Sequence, residues 1–164
     1  MKKLVLMLML LAPMTIMAQK FGKVNTQAIM QALPDVDKAN GELAALQKQK
    51  ENDLKSMQDE FNRKADEYQK AQSTMNATTK QQKETELQTL QQKIQQAYQD
   101  GQQELQKKSN ELMQPIVEKV RTAIDAVGKA GNYTYIFEEG TAIYSGSNVV
   151  DVTKEVQGKL NSGK

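Results

Sequence analysis

The sequence predicts an α+β fold that is predominantly helical: a small β body formed by both chain ends, with a long antiparallel helical hairpin projecting from it. Three observations lead there. Residues 36–114 are rich in Gln, Lys, Glu and Ala, contain no Pro, and space their apolar side chains three and four apart, which is the pattern of a helical seam. That rhythm stops at KAQSTMNATTKQQK, residues 70–83, and then resumes. The chain ends instead carry FGKVN and NYTYIFEEGTAIYSG, whose aromatic and β-branched residues favour strands.

Residues 1–18 read as a secretory signal peptide: a cationic MKK, the apolar LVLMLMLLAPMTIM, and small Ala18 before Gln19. The apolar run falls short of the roughly 20 residues that span a bilayer, and Pro13 interrupts it, which disfavours the alternative of an uncleaved anchor. Cleavage after Ala18 and a periplasmic location are therefore expected.

Residues 19–38 are expected to open the body. FGKVN is a strand, Thr26 caps a short QAIMQAL helix that Pro34 ends, and Asp35 caps the next helix. Residues 39–113 form the hairpin. On its outgoing half Leu43, Lys50, Met57, Lys64 and Ala71 alternate with Gln47, Leu54, Phe61, Tyr68 and Met75 in a heptad seam broken by polar residues. On the returning half the spacing runs through Leu87, Leu90, Ile94, Ala97 or Tyr98, Gly101, Leu105, Leu112 and Ile116. Two such halves around a Ser/Thr/Asn cluster place the tip near residues 73–79, with Asn76 or Thr78 capping the returning helix. One unbroken helix in a long parallel coiled coil is the alternative.

Residues 114–164 return to the body. Pro115 marks a kink or a fresh helix start, Ile116, Val120, Ile124 and Val127 share an apolar face, and Gly128 or Gly131 supplies the stop. NYTYIFEE and TAIYSG, separated by Glu-Gly, read as a β-hairpin, SNVVDVT as a further strand, and Thr153 as the cap of a last helix. FGKVN needs partners, and these distant strands are the expected ones.

Composition removes most chemistry. The chain has no Cys and no His, so disulfides, thiol nucleophiles, imidazole bases and the usual zinc ligands are missing together. Of the 22 basic side chains Lys2 and Lys3 leave with the signal peptide, and the remaining 20 balance 20 acidic ones, which is no footprint for nucleic acid. No GxGxxG, HExxH or GxSxG occurs. Glu138 and Glu139 are neighbours, so in a strand they point to opposite faces and cannot work as an acid/base pair. No catalytic, metal or cofactor-binding residue is assigned, and no nucleotide is expected.

The signal peptide, a first strand ending in KVN, the Gln/Lys-rich hairpin, YTYIFEEGTAIYSG and the terminal DVTKEVQGKL together resemble the Skp (OmpH) family of periplasmic chaperones. The resemblance covers nearly the whole chain after residue 18. It implies a homotrimer with a central barrel-like body, whose hairpins enclose unfolded outer-membrane proteins without ATP and keep them from aggregating before insertion. The sequence departs from the family in charge: its familiar members are strongly basic, whereas this chain is balanced, which weakens electrostatic capture and any lipopolysaccharide site.

The residues suggest where such contacts form. Short strands leave open edges, and Phe21, Val24, Tyr135, Ile136, Phe137, Ile143, Tyr144, Val149 and Val150 are the candidates for an oligomer interface, with an ordinary monomer core as the other reading. Candidates for client binding are Leu46, Ala65, Ala97 and Tyr98 beside the seam, Met57, Phe61, Tyr68 and Met75 on it, and Lys70, Lys80 and Lys83 at the tip. For Leu54, Met57, Phe61, Tyr68 and Leu105, packing between the two helices is the favoured role. The tip lysines could touch anionic lipid weakly. A structural coiled-coil adaptor of the envelope, with no unfolded client, is the rival function.

Overall fold

A computed structural model of the protein describes residues 19–162; the signal peptide lies outside these residues. The elements are β1 (Phe21–Val24), α1 (Thr26–Gln31), α2 (Pro34–Ala71), α3 (Ala77–Ala130), β2 (Tyr135–Glu138), β3 (Val150–Asp151) and α4 (Thr153–Ser162). The described residues divide into two compact units: residues 19–29 with 121–162, and Met30–Val120. Residues 30–38 and 114–120, expected with the body, thus group with the hairpin.

The body holds a three-stranded sheet in the order β2-β1-β3. The first strand is the middle one and takes both distant segments as partners, as its pairing need predicted. Both pairings are parallel, with Phe21 opposite Tyr135 and Val24 opposite Glu138 on one side, and Gly22 opposite Val150 on the other. Main-chain bonds continue past the strand ends: Thr134 N–H donates to Lys20 O at 2.8 Å, Glu139 N–H to Val24 O at 2.7 Å, and Val152 N–H to Lys23 O at 2.9 Å.

The expected β-hairpin does not form. TAIYSG lies in the loop between β2 and β3 and does not pair with the edge of β2 that faces away from β1. Its β-branched and aromatic residues express a fit for a pleated surface, and that preference alone does not supply a partner.

Val24, Ile29, Ala123, Val152, Val156 and Leu160 form the buried core of the body. Val152, just before α4, and Val156 and Leu160 on it recur every fourth residue and so share one face. Each such side chain contributes about 1.5–3 kcal/mol on full burial.

Capping differs from expectation by a residue or two. Asn25, not Thr26, caps α1: its Oδ1 accepts the Ala28 N–H at 2.7 Å. The Thr153 hydroxyl accepts the Asn25 N–H at 3.0 Å, while Asp151 Oδ1 accepts the Thr153 N–H at 2.9 Å. At the end of α3 the Tyr133 N–H reaches Gly128 O and the Asn132 N–H reaches Lys129 O. That pair of bonds is a Schellman motif. Its left-handed residue is Asn132, with φ 52°, rather than either glycine named from the sequence.

In the hairpin unit Pro34 starts α2 instead of merely ending α1. Leu33 before it is extended, with φ −89° and ψ 120°, as a residue preceding Pro prefers. Asp35 lies in the first turn of α2 and accepts a hydrogen bond from Lys119 at 2.7 Å. Residues 72–76 join the helices, and Asn76 Oδ1 accepts the Thr79 N–H at 2.8 Å, so of the two predicted caps Asn76 is the one used. α3 is continuous through Pro115, and no fresh helix begins there.

Candidate functional site

Two surfaces stand out, one in each unit. In the body, alternation along β1 sends Phe21 and Lys23 to one face and Gly22 and Val24 to the other. The register then brings Tyr135 and Phe137 onto the face of Phe21. Ring centroids lie 6.3 Å apart for Phe21 and Tyr135, 6.5 Å for Phe21 and Phe137, and 5.7 Å for Tyr135 and Phe137. This stack is open to solvent: Tyr135 is 59% exposed and Phe137 45%. Ile143 and Tyr144 in the neighbouring loop are exposed too, and a shallow groove of about 430 Å³ runs between that loop and the rings of Phe21 and Phe137.

The other sheet face is the inner one. Val24 is 3% exposed and belongs to the chain's own core, where no partner is needed to cover it. Ile136 is half-buried, and its Cγ1 lies 3.2 Å from where a Cβ on Gly22 would stand. Val149 is half-buried and Val150 lies at the sheet's outer edge. Of the interface candidates, Phe21, Tyr135, Phe137, Ile143 and Tyr144 therefore share accessible surface, whereas Val24 and Ile136 pack inward.

Charged residues frame the rings. Lys23 Nζ is 2.6 Å from Glu139 Oε1, and Asn25 Nδ2 donates to Glu139 Oε2 at 2.9 Å. The hydrogen bond to Glu139, then its charge, raises the Lys23 pKa, and the bonds from Lys23 and Asn25 lower that of Glu139. Hydrogen bonds from Thr153, side chain first and then backbone, lower that of Asp151. Glu138 turns the opposite way and accepts the Thr26 N–H at 3.0 Å, which anchors the start of α1. The two adjacent carboxylates thus both have structural partners on opposite faces.

In the hairpin the two helices pair antiparallel, and cross-helix contacts record the register. As the α2 partner advances through Asp35, Glu42, Lys50, Lys64 and Tyr68, the α3 partner recedes through Lys119, Lys108, Glu104, Glu86 and Glu84. Lys83 Nζ also lies 3.3 Å from Glu86. The hydrogen bond that Lys64 donates to Glu86 is the largest cause of the raised Lys64 pKa, and the bonds from Lys64 and then Lys83 lower that of Glu86. The bond to Glu84 raises the Tyr68 hydroxyl.

The seam follows the predicted positions with one shift. Leu46 is half-buried on the inner face, while Gln47 is exposed and donates to Glu51 at 2.8 Å. A straight helix of about 3.6 residues per turn drifts against a heptad repeat, and one eleven-residue step from Leu43 to Leu54 resets it. On α3 the inner position falls to Ala97, and Tyr98 is left 55% exposed. Met57, Phe61, Ala65, Tyr68 and Met75 are half-buried, Lys70 is exposed, and Lys80 and Lys83 are half-buried. The groove beside Leu46 is about 550 Å³, rimmed by Glu42, Glu104, Lys107, Lys108 and Glu111. Such a rim carries both signs of charge.

Glu84, Glu86, Glu104 and Asn132 are not among the residues the sequence pointed to, whereas Gly101 is buried at the seam position predicted for it. The three hairpin residues were accessible in principle, because a turn placed at Asn76 fixes which α3 residue faces each α2 residue. Among the described residues no three acidic side chains gather as a metal site, and no helix is long and apolar enough to cross a membrane.

A small parallel sheet of chain-end strands and a two-helix hairpin with a polar-broken seam define an α+β helical-hairpin protein that leaves apolar surface open. The family model described as outer membrane protein (OmpH-like) matches residues 20–160, and the chain belongs to that family. A crystal structure of a protein from Caulobacter crescentus described as OmpH-like shares the fold with a TM-score of 0.78 and 14% identity, over 89% of this chain and 86% of that one. No curated protein sequence matches this one significantly.

Proposed function

We propose that the protein is an ATP-independent periplasmic holdase chaperone, which encloses unfolded outer-membrane proteins between hairpins of a homotrimer and releases them to the membrane. The observation that carries this reading is the half-open seam. Between Leu54 and Ala97 every seam side chain, including Met57, Phe61, Met75, Leu87, Leu90 and Ile94, stays half-buried. A structural strut gains rigidity from a closed seam. A client holder gains from apolar groups that are accessible, adaptable and individually weak.

Family membership supports the same reading, and the open stack of Phe21, Tyr135 and Phe137 supports association of copies through the body. Lipid contact through the tip is a minor part of the reading, since Lys83 is already engaged by Glu86. Export is expected to remove residues 1–18, which mass analysis of the periplasmic protein will read directly.

The test dilutes a urea-denatured outer-membrane barrel into buffer without nucleotide, with and without the protein, and follows light scattering. Suppressed scattering is expected. Equal scattering in both leaves the envelope adaptor as the better reading.

A further inference from the structure

Neither the seam nor the sheet face uses the solvent side of α3. Opposite its inner positions runs a row of glutamines, Gln88, Gln92, Gln95, Gln99, Gln102 and Gln106, spaced four and three apart and all exposed. No charge interrupts the row. The matching outer row of α2 is Lys55, Asp59, Arg63, Asp66 and Lys70, likewise exposed and charged throughout. Among the described residues Gln106 donates to Asn110 at 3.1 Å, whereas the side-chain amides of the other five make no hydrogen bond within the chain.

Tyr98 borders this row, three residues after Gln95 and four before Gln102, so its ring lies beside both amides. At 55% exposure it is one of two large hydrophobic side chains left open on the hairpin among the described residues, with Val117.

We infer that the glutamine row and Tyr98 form a docking track for an extended, uncharged stretch of unfolded polypeptide with alternating apolar side chains. The inference rests on the holdase reading and names where a client strand lies. A glutamine amide offers both donors and an acceptor, so it can meet the N–H as well as the C=O groups of an unpaired strand edge. Tyr98 adds an apolar surface for one side chain of the strand. From Gln88 to Gln106 the track is about 27 Å long at 1.5 Å per residue. That length matches about eight residues of extended chain, close to a transmembrane β-strand of roughly 9–11 residues. Neutrality means the track repels neither sign of client charge, and salt does not screen it.

The experiment titrates a fluorophore-labelled, urea-denatured outer-membrane barrel with the full mature protein. Variants are Tyr98→Ala, Tyr98→Phe, the triple Gln95→Glu/Gln99→Glu/Gln102→Glu, and the same triple to Lys. Tyr98→Ala and both triples are expected to bind about tenfold more weakly at low and high salt, with helicity and oligomer mass unchanged, and Tyr98→Phe to bind as wild type. Asp59→Asn/Asp66→Asn on α2 is expected to leave affinity unchanged. Wild-type affinity in the triples overturns the track, as does a loss confined to one sign of charge. A fall in oligomer mass assigns the row to contacts between copies and overturns it too. If the wild-type protein fails to hold the client, the holdase reading falls and the track with it; if the wild type holds it and the triples do equally well, only the track falls.

Discussion

Lys64 of α2 and Glu86 of α3 are hydrogen-bonded across the helical hairpin, at a position where a heptad seam would ordinarily hold an apolar residue. Lys83 joins them from α3, and Glu60 lies 3.7 Å from Lys64 on α2. One turn away Tyr68 donates to Glu84. Polar residues on the seam cost packing, but they fit only one alignment of the two helices. The broken heptad pattern therefore selects register while leaving the distal half of the hairpin weakly zipped.

That arrangement makes hairpin stability depend on pH. Glu86 is held below its ordinary pKa, so its contribution is present above the ordinary carboxylate range of about pH 4.3 and is lost as pH falls through the lower folded value. Lys64 is raised, so its contribution holds below about pH 10.4 and is lost as pH rises past the folded value. Thermal melts followed by helical circular dichroism should show a lower Tm at about pH 3 than at neutrality. Glu86→Gln should melt lower at neutral pH and lose part of that acid dependence; identical acid slopes would contradict the pairing.

Gly101 is buried on the inner face of α3, opposite the stem of Lys50. A Cβ there would lie 3.7 Å from Lys50 Cβ and Cγ, an ordinary contact distance. Gly101→Ala should therefore stabilise the hairpin by about 0.5–1 kcal/mol, because Ala loses less backbone freedom in a helix. Gly101→Leu should destabilise it by pushing Lys50 away from Glu104. Gly22 behaves differently: its Cβ would stand 3.2 Å from both Tyr133 and Ile136, so Gly22→Ala should lower Tm. Chemical denaturation of the three variants checks the ordering.

Long-period features were legible in the sequence and short-range geometry was not. The hairpin showed because the seam runs for many turns and its interruption coincides with Asn76, which is the observed cap. The partnership of FGKVN with distant strands followed from the need of any strand for neighbours. TAIYSG misled because strand propensity alone does not supply a partner. The placement of Ala97 inside and Tyr98 outside turned on a single residue of helical phase, which periodicity could not fix. Glu84 and Glu86 became meaningful only once the turn position set which residues they face.

The end of α3 gives a backbone test. Asn132 sits at φ 52° and completes the Schellman motif. Asn tolerates that region, and Gly occupies it without strain, whereas a β-branched residue does not. Asn132→Gly should be neutral or slightly stabilising, and Asn132→Val should cost about 1–2 kcal/mol. Denaturant midpoints that rank Val above Asn would refute the assignment.

The sheet's outer face gives the sharpest test of assembly. Phe137 lies 5.7 Å from Tyr135 and is half exposed, so a carboxylate in its place stays hydrated in a lone protomer and costs little there. Covered by another copy, the same carboxylate would be desolvated beside Phe21 and Tyr135, without a cation to pair it unless Lys23 leaves Glu139. Phe137→Asp with Ile143→Asp should therefore leave helicity nearly intact while sedimentation shows a smaller species that no longer protects a denatured client. Val24→Asp, by contrast, buries a charge in the protomer's own core and should abolish folding altogether. A Phe137→Asp/Ile143→Asp protein of wild-type mass would show that copies do not meet through the aromatic face.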